Sequence, residues 1–290
     1  MKTIGIVANL VKVNARERAG EIGRRLEDSG AGAVFERELA VALGREDSAF
    51  DLETAGEGIS ALVVLGGDGT LIRTFRRLRH KEIPLLGINL GGLGFLTEVR
   101  LDDLDRALDD LLAGRLKVEK RMTLNGSRLR GGETPEKFTA LNEIVIGKGG
   151  LARVIKMEAF LDGDYLTAYM ADGIIIATPT GSTGYSLSAQ GPILSPGTGV
   201  ILLNPICPHT LTNRPIIIGG ERTIRIVMKT APAETSLTVD GQFGFALQPG
   251  DEITARRGVD CLRLLTDPVS NYYAILRNKL NWGGRSHYGG

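Results

Sequence analysis

Short apolar runs rich in β-branched residues alternate with amphipathic stretches from Lys2 to about Leu112. The runs Thr3 to Ala8, Ala33 to Glu36, Ala61 to Leu65 and Leu85 to Asn89 are bounded by turn residues and predict strands. Apolar residues at three- and four-residue spacing predict helices over Ala15 to Asp28, ended by Ser29-Gly30, over Leu71 to Leu78 and over Asp102 to Leu112. In the second of these, Leu71, Ile72, Phe75 and Leu78 face inward and Arg73, Arg76, Arg77 and Arg79 outward. Strand, turn and helix repeated in this way make a parallel sheet with helices on its faces, and ligands of such sheets bind beyond the carboxyl ends of the strands.

After Lys117 the period shortens. Runs at Arg121 to Asn125, Phe138 to Ile146, Val154 to Leu161, Tyr165 to Met170, Ile174 to Thr178, Ile216 to Ile218, Thr223 to Met228, Leu237 to Val239 and Glu252 to Ala255 predict a β-rich second domain. Asn125-Gly126, Asp162-Gly163, Gly219-Gly220 and Asp240-Gly241 have the composition of tight turns. Pro268 to Leu280 regains a helical pattern and can pack back on the first domain, and Gly283 to Gly290 reads as a loose tail. The expected division is 1–117 with 266–290 for an α/β domain, and 118–265 for the β-rich one.

With 290 residues, 42% hydrophobic and 24% charged, the chain has the composition of a soluble globular protein with room for two domains. Thirty-five Lys plus Arg against 34 Asp plus Glu leave a net charge of +1. That balance gives no general attraction to nucleic acid or an anionic membrane, so a small partner is expected. No apolar stretch reaches the roughly 18 residues of a membrane span. MKTIGIVANLV is followed by no small-residue cleavage site and reads as the first strand of a cytoplasmic domain. Cys207 and Cys261 lie far apart without metal-ligand spacing and read as buried apolar thiols; His80 and His209 lack partners at ligand spacing and read as structural.

Chemistry concentrates where strands end. Ala61 to Leu65 runs directly into Gly66-Gly67-Asp68-Gly69-Thr70, where Gly66, Gly67 and Gly69 admit positive φ and leave backbone N–H groups free to converge on a phosphate. Asp68 is out of place among anion-binding amides unless it accepts a proton from an attacking hydroxyl or holds a divalent metal. The plain alternative is an aspartate capping the next helix. Arg73, one turn on, can reach a phosphate. The spacing fits neither a Walker A loop nor the dinucleotide fingerprint. A second glycine segment, Gly87 to Phe95, follows the next strand and would complete one cradle.

In the β-rich half, Asn142-Glu143 interrupts an apolar run with groups suited to ribose hydroxyls or an adenine edge, or simply ends a strand. From Asp172 to Ser188 an apolar strand leads into a run dense in hydroxyls and glycine. Such a loop suits a sugar or nucleotide, although a Ser/Thr-rich connector has the same composition.

GGDGT, GINLGGLGFLTEV, the Asn142-Glu143 pair, DGIIIATPTGSTGYSLSAQGPI and Asp240-Gly241-Gln242 together resemble NAD kinase, in that order and over nearly the whole chain. GGDGT alone is shared with diacylglycerol and sphingosine kinases and resembles a phosphofructokinase motif; the TPTGSTGYSLS block is what makes the resemblance specific. It implies transfer of the ATP γ-phosphoryl group to the 2'-hydroxyl of the adenosine ribose of NAD, giving NADP, with a divalent metal ion, Mg2+ by expectation. Its implied architecture is an α/β N-terminal domain with a Rossmann-like parallel sheet, a β-sandwich-like C-terminal domain and a C-terminal helix returning to the first.

By position, the resemblance implies that Asp68 is the proton acceptor and, with Gly69, the first NAD contact. Asn142 and Glu143 would hold the adenosine ribose and Asp172 the nicotinamide side. Thr183, Gly184, Tyr185, Ser186, Leu187 and Ser188 would form the adenine loop, with Gln242 a further contact and Arg73 and Arg153 basic ligand positions. Gly66, Gly67, Gly69 and Thr70 would cradle the ATP triphosphate. The family usually has Ala at Gly184, and a residue that is sometimes basic at Met170; both departures bear on the fit of the nucleotide. A homo-oligomer, dimer or tetramer, is also implied, with no nucleic-acid or membrane partner. Two rivals stay open: a GGDGT-type lipid kinase and a non-catalytic NAD(P)-binding module.

Overall fold

The computed structural model describes residues 2–56, 58–79, 81–92, 94–150, 153–210 and 212–282, so His80 and the expected tail at 283–290 lie outside the described residues. The chain separates into two units, 1–120 with 262–290, and 121–261.

In the first unit β1 (Thr3–Ala8), α1 (Ala15–Asp28), β2 (Gly32–Glu36), α2 (Arg37–Leu43), β3 (Ala49–Phe50), β4 (Ala61–Gly66), α3 (Asp68–Arg77), β5 (Leu85–Asn89), β6 (Val99–Arg100) and α4 (Leu104–Ala113) follow one another. The strands lie in the order β3-β2-β1-β4-β5, all parallel, with Ile6 beside Phe35 on one side and Val63 on the other. Ile4, Ile6, Val63 and Leu65 pack with Leu26 of α1, Leu39 of α2 and Leu108 of α4 in one buried cluster. A parallel sheet covered by helices has no solvent face, which is why these strands read as continuous apolar runs.

The chain builds outward from β1 to β3 and then returns to the opposite side of β1 for β4. Parallel sheets open a crevice where the strand order reverses in this way, beyond the carboxyl ends of the two strands. Those ends are Asn9 and Gly67. At the far end of α3, Arg77 pairs with the buried Glu36 at 2.9 Å and with Glu53 at 2.8 Å, fixing the helix against β2.

The second unit contains β7 (Lys117–Leu129, from Arg121 onward), β8 (Glu136–Ala140), β9 (Glu143–Gly147), β10 (Ile155–Leu161), β11 (Asp164–Ala171), β12 (Gly173–Ala177), the single turn α5 (Tyr185–Ser188), β13 (Val200–Ile206), β14 (Ile216–Gly219), β15 (Ile224–Met228), β16 (Ser236–Val239), β17 (Phe243–Ala246) and most of β18 (Glu252–Thr266). One antiparallel sheet has the order β14-β13-β12-β9-β16-β17. The other runs β11-β10-β15-β18, with β7 and β8 beyond β18. Ile144, Ile146, Ile174 and Ile176 of the first sheet meet Met157, Ala159, Ile224 and Ile226 of the second in one core. Two antiparallel sheets joined through such a core form a β-sandwich.

The last helix, α6 (Tyr272–Leu280), is capped by Asn271 and belongs to the first unit, where Tyr272 stacks 6.4 Å from Phe95 and Lys279 lies 5.0 Å over the same ring. The fold is thus an α/β N-terminal part with a parallel sheet, an antiparallel β-sandwich, and a closing helix.

Several expectations change. Asn125-Gly126 is no turn but the middle of β7, paired with Thr139 and Phe138; a Cβ at Gly126 would run into the Phe138 ring, so glycine is there for close approach. The expected strand Phe138 to Ile146 breaks in two at Leu141-Asn142. β13 was not anticipated because Asn204 and Pro205 disguise its composition, and α2 because seven residues carry too few apolar repeats. Cys207 is exposed and Cys261 half-buried rather than buried. Cys207 sits just past β13 in the left-handed region, φ 44°, where the chain turns outward.

Candidate active site

The GGDGT segment is less a loop than a junction. β4 continues through Gly66, Gly67 is the cap, and α3 already begins at Asp68, three residues before the expected start. None of its glycines adopts positive φ. Gly66 is needed because a Cβ there would collide with the Thr70 side chain, whereas a Cβ at Gly67 or Gly69 would meet only open space, room that a ligand can take. The amides offered to an anion therefore belong to the first turn of a helix, whose dipole favours negative charge there. Asn9, just past β1, reaches across to Thr70 Oγ1 at 3.4 Å.

Asp68 is clasped rather than free-standing. Its Oδ1 accepts from Leu96 N (3.1 Å), Thr97 N (3.0 Å) and Thr97 Oγ1 (3.0 Å), and its Oδ2 from Phe95 N (2.8 Å). Gly94 permits this, since a Cβ there would strike Asp68 Oδ1 and Thr97 Oγ1. Asn89, at the end of β5, holds Thr97 Oγ1 at 2.8 Å and Gly91 N at 2.7 Å. The two glycine segments thus meet through Asp68. A carboxylate has about four acceptor positions, and with one donor on it Oδ2 keeps capacity for a further partner. An open cleft of about 430 Å³ lies beyond the end of β5, lined by Asn89, Gly91, Gly92, Arg100 and Asp102 among others.

A second aspartate does the same work in the other unit. Asp240 Oδ1 accepts from Asn142 N (2.7 Å) and Glu143 N (3.1 Å), and Oδ2 from Leu141 N (2.9 Å). Asp240 and Gly241 both have positive φ, 51° and 64°, the tight hairpin turn expected between β16 and β17. Thr178 adds bonds from its N to Asn142 O (2.8 Å) and from Oγ1 to Leu141 O (2.6 Å). Segments 141–143, 178–184 and 240–242 therefore converge. Within them, Asn142 Oδ1 and Glu143 Oε2 are buried with no hydrogen-bond partner among the described residues. A Cβ at Gly184 would stand 3.2 Å from Glu143 Oε2.

Burial, and secondarily the charge of Asp240, push the Glu143 carboxyl up to about 8. At neutral pH Glu143 is a protonated acid able to donate a hydrogen bond. Because its folded pKa lies above the ordinary value of 4.5, the folded protein binds a proton that the unfolded chain releases. This contribution is fully present below pH ~4.5 and is lost as pH rises through ~8. Glu143→Gln is expected to flatten the fall in Tm between pH 5 and 9; an unchanged slope would show that Glu143 is ionised throughout.

The remaining expected residues divide. Gln242, two positions after Asp240, is half-buried and closes the same turn, its N–H donating to Val239 O at 3.0 Å. Thr183, Gly184 and Leu187 are half-buried, and Tyr185 and Ser188 are exposed. Ser186 is buried, with its hydroxyl turned to Asn204 rather than outward. Asp172 is paired with Lys148 at 2.8 Å. Arg73 and Arg153 are exposed. His209 is exposed, held by its backbone N–H to Met170 O. Sequence reasoning missed Asn9, Thr97 and the anchoring role of Asp240. Thr97 and Asp240 stand inside quoted motifs, whereas Asn9 carried no signal there.

The family described as ATP-NAD kinase N-terminal domain matches residues 4–116, and the ATP-NAD kinase C-terminal domain matches 141–266. The NAD kinase of Moorella thermoacetica is 46% identical over 289 residues, covering 98% of this chain and 91% of that protein. That of Syntrophotalea carbinolica is 42% identical over 285 residues, covering 98% and 100%. Among solved structures, yeast NADH kinase complexed with NADH superimposes with a TM-score of 0.87 at 26% identity, over 99% of this chain and 89% of that one. An NAD kinase from Archaeoglobus fulgidus in complex with ATP has the same fold, with a TM-score of 0.72 at 23% identity over 96% and 97%.

Proposed function

The chain belongs to the ATP-NAD kinase family, and from that premise we infer that it transfers the γ-phosphoryl group of ATP to the 2'-hydroxyl of the adenosine ribose of NAD, giving NADP. The observation that carries the reading is the clasped Asp68, a fixed carboxylate with a spare acceptor position between Gly67 and Gly69, whose missing side chains leave open space. Neither rival, lipid kinase or non-catalytic module, gains support from the family matches.

The first unit is taken to carry the ATP phosphates on Gly66, Gly67, Gly69 and Thr70, and the second unit to bind NAD. There Asn142 and Glu143 hold the adenosine ribose, Thr183 to Ser188 line the adenine and Gln242 adds a contact; Asp172 serves the nicotinamide side, with Arg153 as a basic neighbour, while Arg73 is the basic position of the first unit. Phosphoryl transfer passes through a largely dissociative transition state, so alignment and charge neutralisation supply most of the acceleration. Asp68 orients the 2'-hydroxyl and takes its proton late.

A divalent metal fits as part of the ATP. No three His, Cys, Asp or Glu side chains converge among the described residues, while Mg2+ characteristically binds phosphate oxygens with only one or two carboxylates. The phosphate oxygens would hold most of its coordination, and the bound ion would neutralise phosphate charge. No helix among the described residues is long and apolar enough to cross a membrane. A cytoplasmic homo-oligomer, dimer or tetramer, completes the reading on the family resemblance.

Purified protein assayed with ATP, GTP and polyphosphate, each against NAD and NADH, tests the reading. ATP with NAD is expected to yield NADP. NAD binding without any NADP would return the non-catalytic module, and, with diacylglycerol vesicles added as a further acceptor, phosphorylation of the lipid instead would return the lipid kinase.

A further inference from the structure

The adenine-loop turn α5 has only four residues. One helical turn fixes more dihedrals than its hydrogen bonds repay, and its own bonds are few: Ala189 N to Tyr185 O (3.0 Å), Gln190 N to Leu187 O (3.0 Å) and Gly191 N to Ser186 O (2.8 Å). A hold from the sheet adds to them. Asn204, on the neighbouring strand β13, is fully buried, and its Nδ2 donates to Ser186 O (3.1 Å), Ser186 Oγ (3.1 Å) and Ala189 O (3.3 Å). Two N–H bonds serve three acceptors, all oxygen, so the amide must present its nitrogen to the loop. The space is tight, since a Cβ at Gly191 would stand 2.7 Å from the same Nδ2. The other end of the amide, Oδ1, is buried without a hydrogen-bond partner among the described residues. Asn204 is therefore placed for what its nitrogen holds.

We propose that Asn204 is a positioning residue for NAD, fastening the Tyr185 to Ala189 turn to the sheet so that the adenine loop is formed before the nucleotide arrives. The inference rests on the NAD-binding reading of that loop. Pre-formed loops bind more tightly because the ordering entropy is not charged to the ligand. Without the donor, Ala189 O and the Ser186 hydroxyl lose this partner and Ser186 O keeps only Gly191 N, and the turn loosens to regain water.

Asn204→Leu, of similar size but without a donor, and Asn204→Asp, of the same shape, are compared with wild type by calorimetry and steady-state kinetics. For a folded variant the Kd and KM for NAD are expected to rise at least tenfold, with the KM for ATP within twofold. Equal losses toward both substrates, or unchanged NAD affinity, would overturn the proposal. Hydrogen exchange on wild type needs no variant: residues 185–191 are expected to be protected without NAD and to gain less than threefold on its addition. Free exchange of that segment until NAD binds would equally overturn it. A wild-type protein that binds no NAD at all would instead overturn the function proposed above.

Discussion

Asp68→Asn is expected to lower kcat about a thousandfold, within the range of a positioned general base, while leaving NAD affinity within a few-fold. Three of the four donors to the carboxylate point at Oδ1, so the amide oxygen of the variant takes that place. Its NH2 then falls where Oδ2 was, facing Phe95 N, which loses one hydrogen bond. That loss destabilises by about 1–3 kcal/mol and leaves most of the clasp intact. What disappears is the free acceptor position. Thr97→Val provides the control, because it removes one donor to Asp68 and keeps the carboxylate; a tenfold loss or less is expected. Steady-state kinetics on both variants decide the matter. Near-normal turnover in Asp68→Asn would reduce Asp68 to a peg for residues 95–97, and equal losses in the two variants would point to the loop rather than to proton transfer.

The second large effect is at Asp240. Asp240→Ala removes the acceptor of three consecutive backbone N–H groups, those of Leu141, Asn142 and Glu143. Each unsatisfied donor costs about 1–3 kcal/mol, less whatever water recovers. A fall in Tm of about 10 °C is expected, together with a KM for NAD raised well above tenfold and a KM for ATP little changed. Removing the neighbouring charge also relaxes one of the two influences holding Glu143 protonated, so the pH at which NAD affinity declines should move down. An Asp240→Ala protein with wild-type NAD affinity would show that the Asn142-Glu143 pair needs no anchor.

How much of this was legible from the sequence depended on whether the determining contact was local. β1, α1 and β5 appear where their patterns place them because a buried parallel strand or an amphipathic helix is specified by its own residues. Asn125-Gly126 misled because the reason for the glycine, the ring of Phe138, lies across a hairpin. The glycines of GGDGT were legible as bare backbone but not in mechanism: positive φ was the wrong reason, and open space beside a helix start the right one. Asp68 could be singled out as an acid within a glycine loop, and Glu143 as a polar group interrupting an apolar run. That Asp68 is tied to residues 27 to 29 positions further along, and Glu143 to a turn 97 positions away, could not. Asn204 was invisible for the same reason, since an asparagine within an apolar run carries no mark of the loop it faces.

A phosphoryl group passes directly from ATP to one particular oxygen of NAD, with Asp68 taking the proton of the attacking hydroxyl. Incubation of the wild-type protein and Asp68→Asn with ATP labelled at the γ-phosphorus and with NAD, followed by phosphorus NMR of the product, tests it most directly. Label is expected on the 2'-oxygen of the adenosine ribose with wild type, and about a thousandfold slower labelling with the variant. Label released only as inorganic phosphate, label at any other hydroxyl, or equal labelling by the two proteins would contradict it.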